Sequence, residues 1–414
     1  MNIDLSNKNK FSTSEFQLMT KPIGPLCNLD CDYCYYLEKK KLFPESGSFL
    51  MSDEVTESFI RQYIESQSSP EITFSWQGGE PALAGLDYFK KVVDLQLKYA
   101  GKKTIANTFQ TNGVLIDDDW AKFLAEYKFL VGVSVDGPEH LHDKHRKNSA
   151  GKPSFSKVMN AIEKLKKYQV EFNTMTVVND FNSRYPLEVY DFLKSIGSEF
   201  LQFIPIVERQ ALKKNIDLKL IAPGDREKAK VAPWSVKAIQ YGKFLNTIFD
   251  EWVQQDVGRI FVRIFDVALA ATMGQDPGLC VFQETCGRAA VIEHNGNVYS
   301  CDHYVYERNL LGNILNTPVD TMMNSDKQIN FAVSKKTKLP GKCEKCEYLN
   351  ICWGGCPKHR IIDAGSRDKK LNYFCKGYKL FFGHVKPYIE FMAAELRNNR
   401  APANVMNWAK DRLG

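Results

Sequence analysis

Two rhythms of apolar and polar positions alternate along the first half of the chain. Residues 71–76 (EITFSW) switch between apolar and polar at every step, as a strand with one buried face does, and 88–99 then read as a helical stretch with Phe89, Val92, Val93 and Leu97 apolar. The pair recurs. Strands are predicted over 15–21, 105–111, 130–135, 171–178 and 200–205. Helices are predicted over 52–67, 120–127, 155–167 and 186–196, the first with Ser52 as N-cap and Val55, Phe59, Ile60 and Tyr63 on one face. Six strands alternating with helices imply parallel neighbours joined by right-handed crossovers. Six is short of the eight that close a barrel. The expected fold class is therefore α/β, an open partial (β/α)6 barrel whose ligand sits where the strands end.

Beyond the sixth strand the rhythm breaks. Residues 210–233 carry Lys, Asp, Pro and Gly without periodicity and read as a boundary loop. Residues 234–267 are largely helical, and from 278 onward cysteines, glycines and short strands take over. The expected division is a barrel over 1–235, a helical linker region over 236–277, and a Cys-rich domain with a C-terminal helix over 278–414. A chain of 414 residues, 44% hydrophobic and 25% charged, is long enough for such a division. Its net charge of +6 is spread along the chain, which leaves no basic arm for nucleic acid. No apolar run reaches the roughly 18 residues of a membrane span, and residues 1–17 lack the pattern of a signal peptide. The expected compartment is cytoplasmic. Thiols stay reduced there, so the 11 cysteines read as metal ligands or catalytic thiols ahead of disulfides.

The first three cysteines, Cys27, Cys31 and Cys34, are spaced CxxxCxxC on the loop after the first strand. A cubane iron–sulfur cluster normally takes four thiolates, so three leave one iron open to another ligand. Zinc is the alternative, but structural zinc is closed by four ligands and no His follows Cys34 at ligand spacing. The remaining eight run Cys280-x5-Cys286-x14-Cys301, then Cys343-x2-Cys346-x5-Cys352-x3-Cys356, then Cys375. Eight thiols divide into two closed four-Cys sites, for clusters or for zinc. The second strand runs into Gly78-Gly79-Glu80-Pro81, either a plain turn or a ligand loop. His140, His142 and His145 lie on a polar loop and read as solvated.

CxxxCxYC resembles the signature of radical S-adenosylmethionine (SAM) enzymes. The resemblance implies that Cys27, Cys31 and Cys34 hold a [4Fe-4S] cluster whose open iron binds SAM, with Tyr33 near the adenine unless it merely packs the loop. It further implies that Gly78, Gly79 and Glu80 form the element beside SAM's amino group. Ser134 and Arg146 match SAM-binding positions, Arg146 as a partner for the carboxylate; surface polar roles are the alternative. The run CExCxxxxxCxGGCP resembles the SPASM extension, and with CDHYV at 301–305 the chain is similar to anaerobic sulfatase-maturating enzymes over almost its whole length. That family implies two auxiliary [4Fe-4S] clusters on interleaved ligands: Cys280, Cys286, Cys301 and Cys356 for one, Cys343, Cys346, Cys352 and Cys375 for the other. The implied reaction oxidises a Cys or Ser of an unfolded sulfatase polypeptide to Cα-formylglycine by a 5′-deoxyadenosyl radical. Asp302 is the implied proton acceptor, His303 its rival, and a flavodoxin or ferredoxin-type protein the electron donor. Two other readings stay open: another SPASM peptide maturase that forms thioether or carbon–carbon crosslinks, and an iron–sulfur electron carrier without SAM chemistry. The short stretch before the first strand leaves little room for the peptide-recognition domain common in such maturases, which favours the sulfatase reading.

Overall fold

Strand geometry sorts side chains onto two faces of a sheet, and this sorting organises the computed structural model, which describes residues 15–44, 47–212, 220–225, 227–366 and 369–413. Residues 1–14, on which the signal-peptide reading rests, and 213–219 and 226 of the predicted boundary loop lie outside the described residues. Six strands lie side by side and parallel: β1 (Gln17–Lys21), β2 (Glu71–Trp76), β3 (Thr104–Thr111), β4 (Leu130–Ser134), β5 (Phe172–Val178) and β6 (Phe200–Pro205). Between them run α1 (Asp53–Ser66), α2 (Leu86–Ala100), α3 (Asp118–Glu126), α4 (Phe155–Lys167) and α5 (Pro186–Ser195). The expected N-cap is made, with Ser52 accepting from the Val55 N–H. Ile72, Phe74 and Trp76 of β2, Phe109 of β3, and Val131 and Val133 of β4 are buried within the apolar core. The alternate positions of β2 (Glu71, Thr73 and Ser75) are polar and take the other face, where the Thr108 hydroxyl meets Ser75 at 3.2 Å and Gln77 meets Gln110.

The sheet continues past the six predicted strands at both ends. Beyond β6 come a short hairpin, β7 (Arg209–Ala211) with β8 (Ala229–Val231), and then helix α6 (Ala238–Gln255). β9 (Phe261–Val262) then pairs in parallel with β6 and leads into α7 (Arg263–Thr272). On the other side β10 (Ala289–Glu293) pairs in parallel with β1, from Gln17↔Ala289 to Lys21↔Glu293. β11 (Asn297–Tyr299) and β12 (Leu310–Asn313) follow antiparallel, giving ten strands. The pairing of β10 with β1 joins segments more than 260 positions apart, which local periodicity does not encode. It also merges the Cys-rich region with the barrel: Cys301 lies two residues beyond β11, on the same sheet that carries the first cysteine loop.

The rest of the Cys-rich region is built from α8 (Asp326–Thr337), the hairpin of β13 (Arg360–Ser366) and β14 (Lys369–Asn372), and α9 (Cys375–Arg397), which packs along α6. Among the described residues no helix is long and apolar enough to cross a membrane.

Candidate active site and cluster-binding cysteines

The first cysteine loop leaves β1 at Lys21 and is braced on both sides. The Asp30 N–H donates to the Lys147 carbonyl (2.7 Å) and the Asp32 N–H to that of His145 (3.2 Å). From the end of β2, the Gly79 N–H donates to Gly24 O (2.9 Å) and the Glu80 N–H to Leu26 O (2.8 Å). A Cβ on Gly79 would lie 1.8 Å from the Leu26 oxygen, and one on Gly78 3.1 Å from the Gly24 oxygen, so the two glycines are what permit this approach. The Glu80 carboxylate is fully buried and accepts from the Ala82 N–H (3.1 Å), the Thr111 hydroxyl (2.7 Å) and the Asn112 N–H (2.7 Å). Burial pushes this carboxyl up to about 7. The Asn112 amide in turn donates to Asn28 Oδ1 at 2.7 Å and reaches the Cys27 sulfur at 3.6 Å. Gly78, Gly79 and Glu80, expected beside a ligand's amino group, thus brace the cysteine loop itself.

Burial pushes the thiols of Cys27, Cys31 and Cys34 up; for Cys27, Glu80 and then Cys34 add to it, up to about 12, and for Cys31, Cys34 and Cys27 add to it. Thiols crowded out of water in this way are poor anions until a metal compensates them.

The polar residues around this loop pair with one another. The Tyr33 hydroxyl donates to Asp136, and Asp136 is ion-paired with Arg146 at 3.0 Å, both side chains buried. Arg146, expected to face a ligand's carboxylate, therefore has a carboxylate of its own, as a buried guanidinium requires. Ser134 ends β4, half-buried, opposite Met175 of β5. The three histidines do not converge. His140 is exposed near Glu188, whereas His142 meets Ser154 at 3.0 Å and His145 meets Asp32 at 3.0 Å; these two are buried, contrary to the solvated reading.

The eight later cysteines surround two cavities. One, of about 250 Å³, is lined by Cys280, Cys286, Cys301 and Cys356 together with Asp302 and His303. The other, of about 230 Å³, is lined by Cys343, Cys346, Cys352 and Cys375. Only three residues separate Cys352 from Cys356, and the backbone explains how they part. Trp353, Gly354 and Gly355 have φ of 45°, 68° and 59°, a left-handed run that reverses the chain and that glycine makes cheap. Beside the first cavity, the buried Lys335 ammonium donates to the carbonyls of Cys280 (2.6 Å) and Val281 (2.8 Å). Arg360 donates to the carbonyls of Lys335 (2.7 Å) and Trp353 (3.0 Å). These two cations stand where bound thiolates would need compensating charge. Sets of three, four and four thiols fit one open and two closed cubane clusters.

Asp302 is half-buried and lines the first of these cavities. Its Oδ2 accepts a 2.7 Å hydrogen bond from Tyr35, the neighbour of Cys34. Burial works against ionisation, yet His303, the Lys21 ammonium and the Tyr35 hydroxyl outweigh it and hold the carboxyl well below the usual carboxylate range. His303 is itself pushed down to about 4 by burial, against the pull of Asp302. Lys21, buried at the end of β1, donates to Gln77 Oε1 at 3.0 Å. Sequence reasoning missed Tyr35, Lys21, Gln77, Asp136, Lys335 and Arg360. For Tyr35 a signal existed in its place beside Cys34, but the partner lies 267 positions away.

A three-thiol loop where the strands of a parallel α/β barrel end, backed by two four-thiol cavities, defines a radical SAM enzyme with auxiliary iron–sulfur clusters. Residues 22–193 match the Radical SAM superfamily and residues 280–347 the SPASM iron-sulfur cluster-binding domain. The chain is 49% identical over 394 residues to a serine-type anaerobic sulfatase-maturating enzyme of Bacteroides thetaiotaomicron, covering 95% of each. It is 36% identical to a cysteine-type enzyme of Clostridium perfringens, covering 92% of this chain and 99% of that one. It also matches the solved structure of native anSMEcpe with bound AdoMet and Cp18Cys peptide, with a TM-score of 0.80 and 36% identity over 92% of this chain and 100% of that chain. The chain belongs to the anaerobic sulfatase-maturating enzymes. It is a radical SAM oxidoreductase whose cofactors are SAM and [4Fe-4S] clusters, of a class that acts on a sulfatase peptide and forms formylglycine.

Proposed function

We propose that this chain oxidises a Ser or Cys of an unfolded sulfatase polypeptide in the cytoplasm, with its work divided among three thiol sets and one carboxylate. Cys27, Cys31 and Cys34 hold the SAM-binding cluster. Cys280, Cys286, Cys301 and Cys356 hold one auxiliary cluster, and Cys343, Cys346, Cys352 and Cys375 the other. Tyr33, Gly78, Gly79, Glu80, Ser134 and Arg146 surround the SAM pocket, most of them by bracing its walls. When bound, the clusters and SAM supply the adenosyl radical that removes a Cβ hydrogen and the sink for the second electron. Asp302 accepts the hydroxyl or thiol proton; loss of that proton, the hydrogen atom and one electron leaves an aldehyde or thioaldehyde. A flavodoxin or ferredoxin-type protein delivers the reducing electron. The chain divides functionally into the barrel over 1–235, the helical region over 236–277 and the cluster domain over 278–414.

The observation that most supports this reading is the hydrogen bond from Tyr35, beside Cys34, to Asp302, beside Cys301. It sets the one carboxylate between the radical-generating loop and an auxiliary site. The test is mass spectrometry of sulfatase peptides carrying Ser or Cys at the target position, incubated anaerobically with reconstituted enzyme, SAM and reductant. The Ser peptide comes first, because the 49% identical relative is serine-type. Formylglycine is expected, together with 5′-deoxyadenosine. Replacing Cys27, Cys31 and Cys34 together by Ala should abolish both products while removing about 4 of about 12 iron atoms per chain, the content of one cubane in three. A variant that still makes 5′-deoxyadenosine overturns the assignment of the first set.

A further inference from the structure

Three tyrosines of the first cysteine loop each donate to a different carboxylate: Tyr33 to Asp136, Tyr36 to Glu293, and Tyr35 to Asp302. Only the last of these carboxylates adjoins an auxiliary-site cysteine. The Tyr35 ring is fixed from two sides. The Lys358 ammonium, itself ion-paired with buried Glu208, stands 4.3 Å from the ring centroid, and the His303 ring lies 4.8 Å away, centroid to centroid. A phenol gripped this way can aim its hydroxyl in one direction, and that direction is Asp302 Oδ2 at 2.7 Å. The other oxygen, Oδ1, has the Cys301 thiol 3.4 Å away. A thiolate that ligates a metal has no proton to donate, so Oδ1 is the oxygen left for a substrate group.

We propose that Tyr35 is a positioning residue for substrate oxidation: by holding Oδ2 it fixes the plane of the Asp302 carboxylate and turns Oδ1 toward the substrate's hydroxyl or thiol. The proposal rests on the reading of Asp302 as proton acceptor. A carboxylate attached to the backbone through one carbon rotates freely about that bond unless something holds it, and an oxygen out of line with the proton it must accept loses rate without losing binding.

The test uses anaerobically reconstituted holoenzyme with Ser and Cys peptides and compares wild type, Tyr35→Phe, Asp302→Asn and the double variant. Phenylalanine keeps the ring between Lys358 and His303 and removes only the hydroxyl. The expected result is that Tyr35→Phe keeps its iron and its 5′-deoxyadenosine formation, with peptide KM within about twofold of wild type, while kcat for formylglycine falls about 10- to 100-fold, the range for one hydrogen bond to a charged group. The ratio of 5′-deoxyadenosine to formylglycine rises accordingly. The double variant should form no less formylglycine than Asp302→Asn alone, because Tyr35 acts only through that carboxylate. A merely structural tyrosine would raise KM or lower both products together, and either outcome overturns the proposal, as does loss of iron in Tyr35→Phe. If Asp302→Asn is impaired but Tyr35→Phe has wild-type kcat, the positioning role fails and the base survives. If Asp302→Asn has wild-type kcat, the base reading itself fails.

Discussion

A carboxylate beside an ammonium and a phenol, inside a protein, is an anion prepared in advance, and Asp302 is so placed by Lys21 and Tyr35. Its neighbour His303 is uncharged at neutral pH and cannot substitute for it as an anion. Replacing Asp302 by Asn preserves shape and turn hydrogen bonding and removes the basic oxygen. We predict that this variant keeps its clusters and cleaves SAM but loses formylglycine formation by a factor of about 10² to 10⁴, the span of a positioned base. Paired quantification of 5′-deoxyadenosine and formylglycine peptide checks it; formation within a few-fold of wild type moves the base to His303. At this scale the cysteines were legible, because ligand spacing is a local property of the chain. Arg146 and Glu80 were legible as special positions but not as to their partners: Asn112 enters from the end of another strand, and Asp136, ten positions before Arg146, meets it only through the fold of the loop after β4. Lys21 and Tyr35 were not legible, because what makes each one matter is a carboxylate in the last third of the chain.

Between neighbouring elements, the end of β2 shows how a short sequence sets a contact. Gly78 and Gly79 let β2's loop lie on the first cysteine loop, and Glu80 then ties the same loop to the end of β3 through Thr111 and Asn112. An added methyl at Gly79 has no room, 1.8 Å from a backbone oxygen, so Gly79→Ala must displace the segment that leads into Cys27. Overpacking of this kind costs about 1–3 kcal/mol. We predict that Gly79→Ala loses up to about 4 of about 12 iron atoms per chain, one cubane of three, with the auxiliary thiols still loaded. SAM cleavage should fall in proportion. Iron and sulfide analysis beside a 5′-deoxyadenosine assay decides it: full iron with wild-type cleavage would mean that the loop tolerates the shift. The six barrel strands and their helices were legible from periodicity, since each alternation is written into a few consecutive residues. β9 was not, being two residues long, and β10 was read only as a short strand of the Cys-rich region because its partner is β1.

At the scale of the whole molecule that one pairing matters most. With β10 in place, β1 is an interior strand hydrogen-bonded on both edges, and Glu293 at the end of β10 stands within reach of Lys21 and Tyr36 at the end of β1 and its loop. Remove β10 and two costs arise together. β1 becomes an edge with unpaired N–H and C=O groups open to other chains. Lys21 also loses both Glu293 and Asp302, the two carboxylates that work against its desolvation. A barrel ending at residue 277 would also open the cavity wall that residues 280–304 supply. We therefore predict that a chain truncated after 277 does not behave as an independent radical SAM domain, despite the family match that stops at 193. Expressed alone, it should elute as aggregate on size exclusion, bind less than the about four iron atoms of one cubane, and make no 5′-deoxyadenosine. Co-expression with the segment 278–414 as a separate chain should restore part of each, because the missing strand can then pair in trans. A soluble, monomeric truncated barrel that cleaves SAM would show that β1 needs no neighbour on its outer edge, and that Lys21 is neutralised by something other than the strand that brings Glu293.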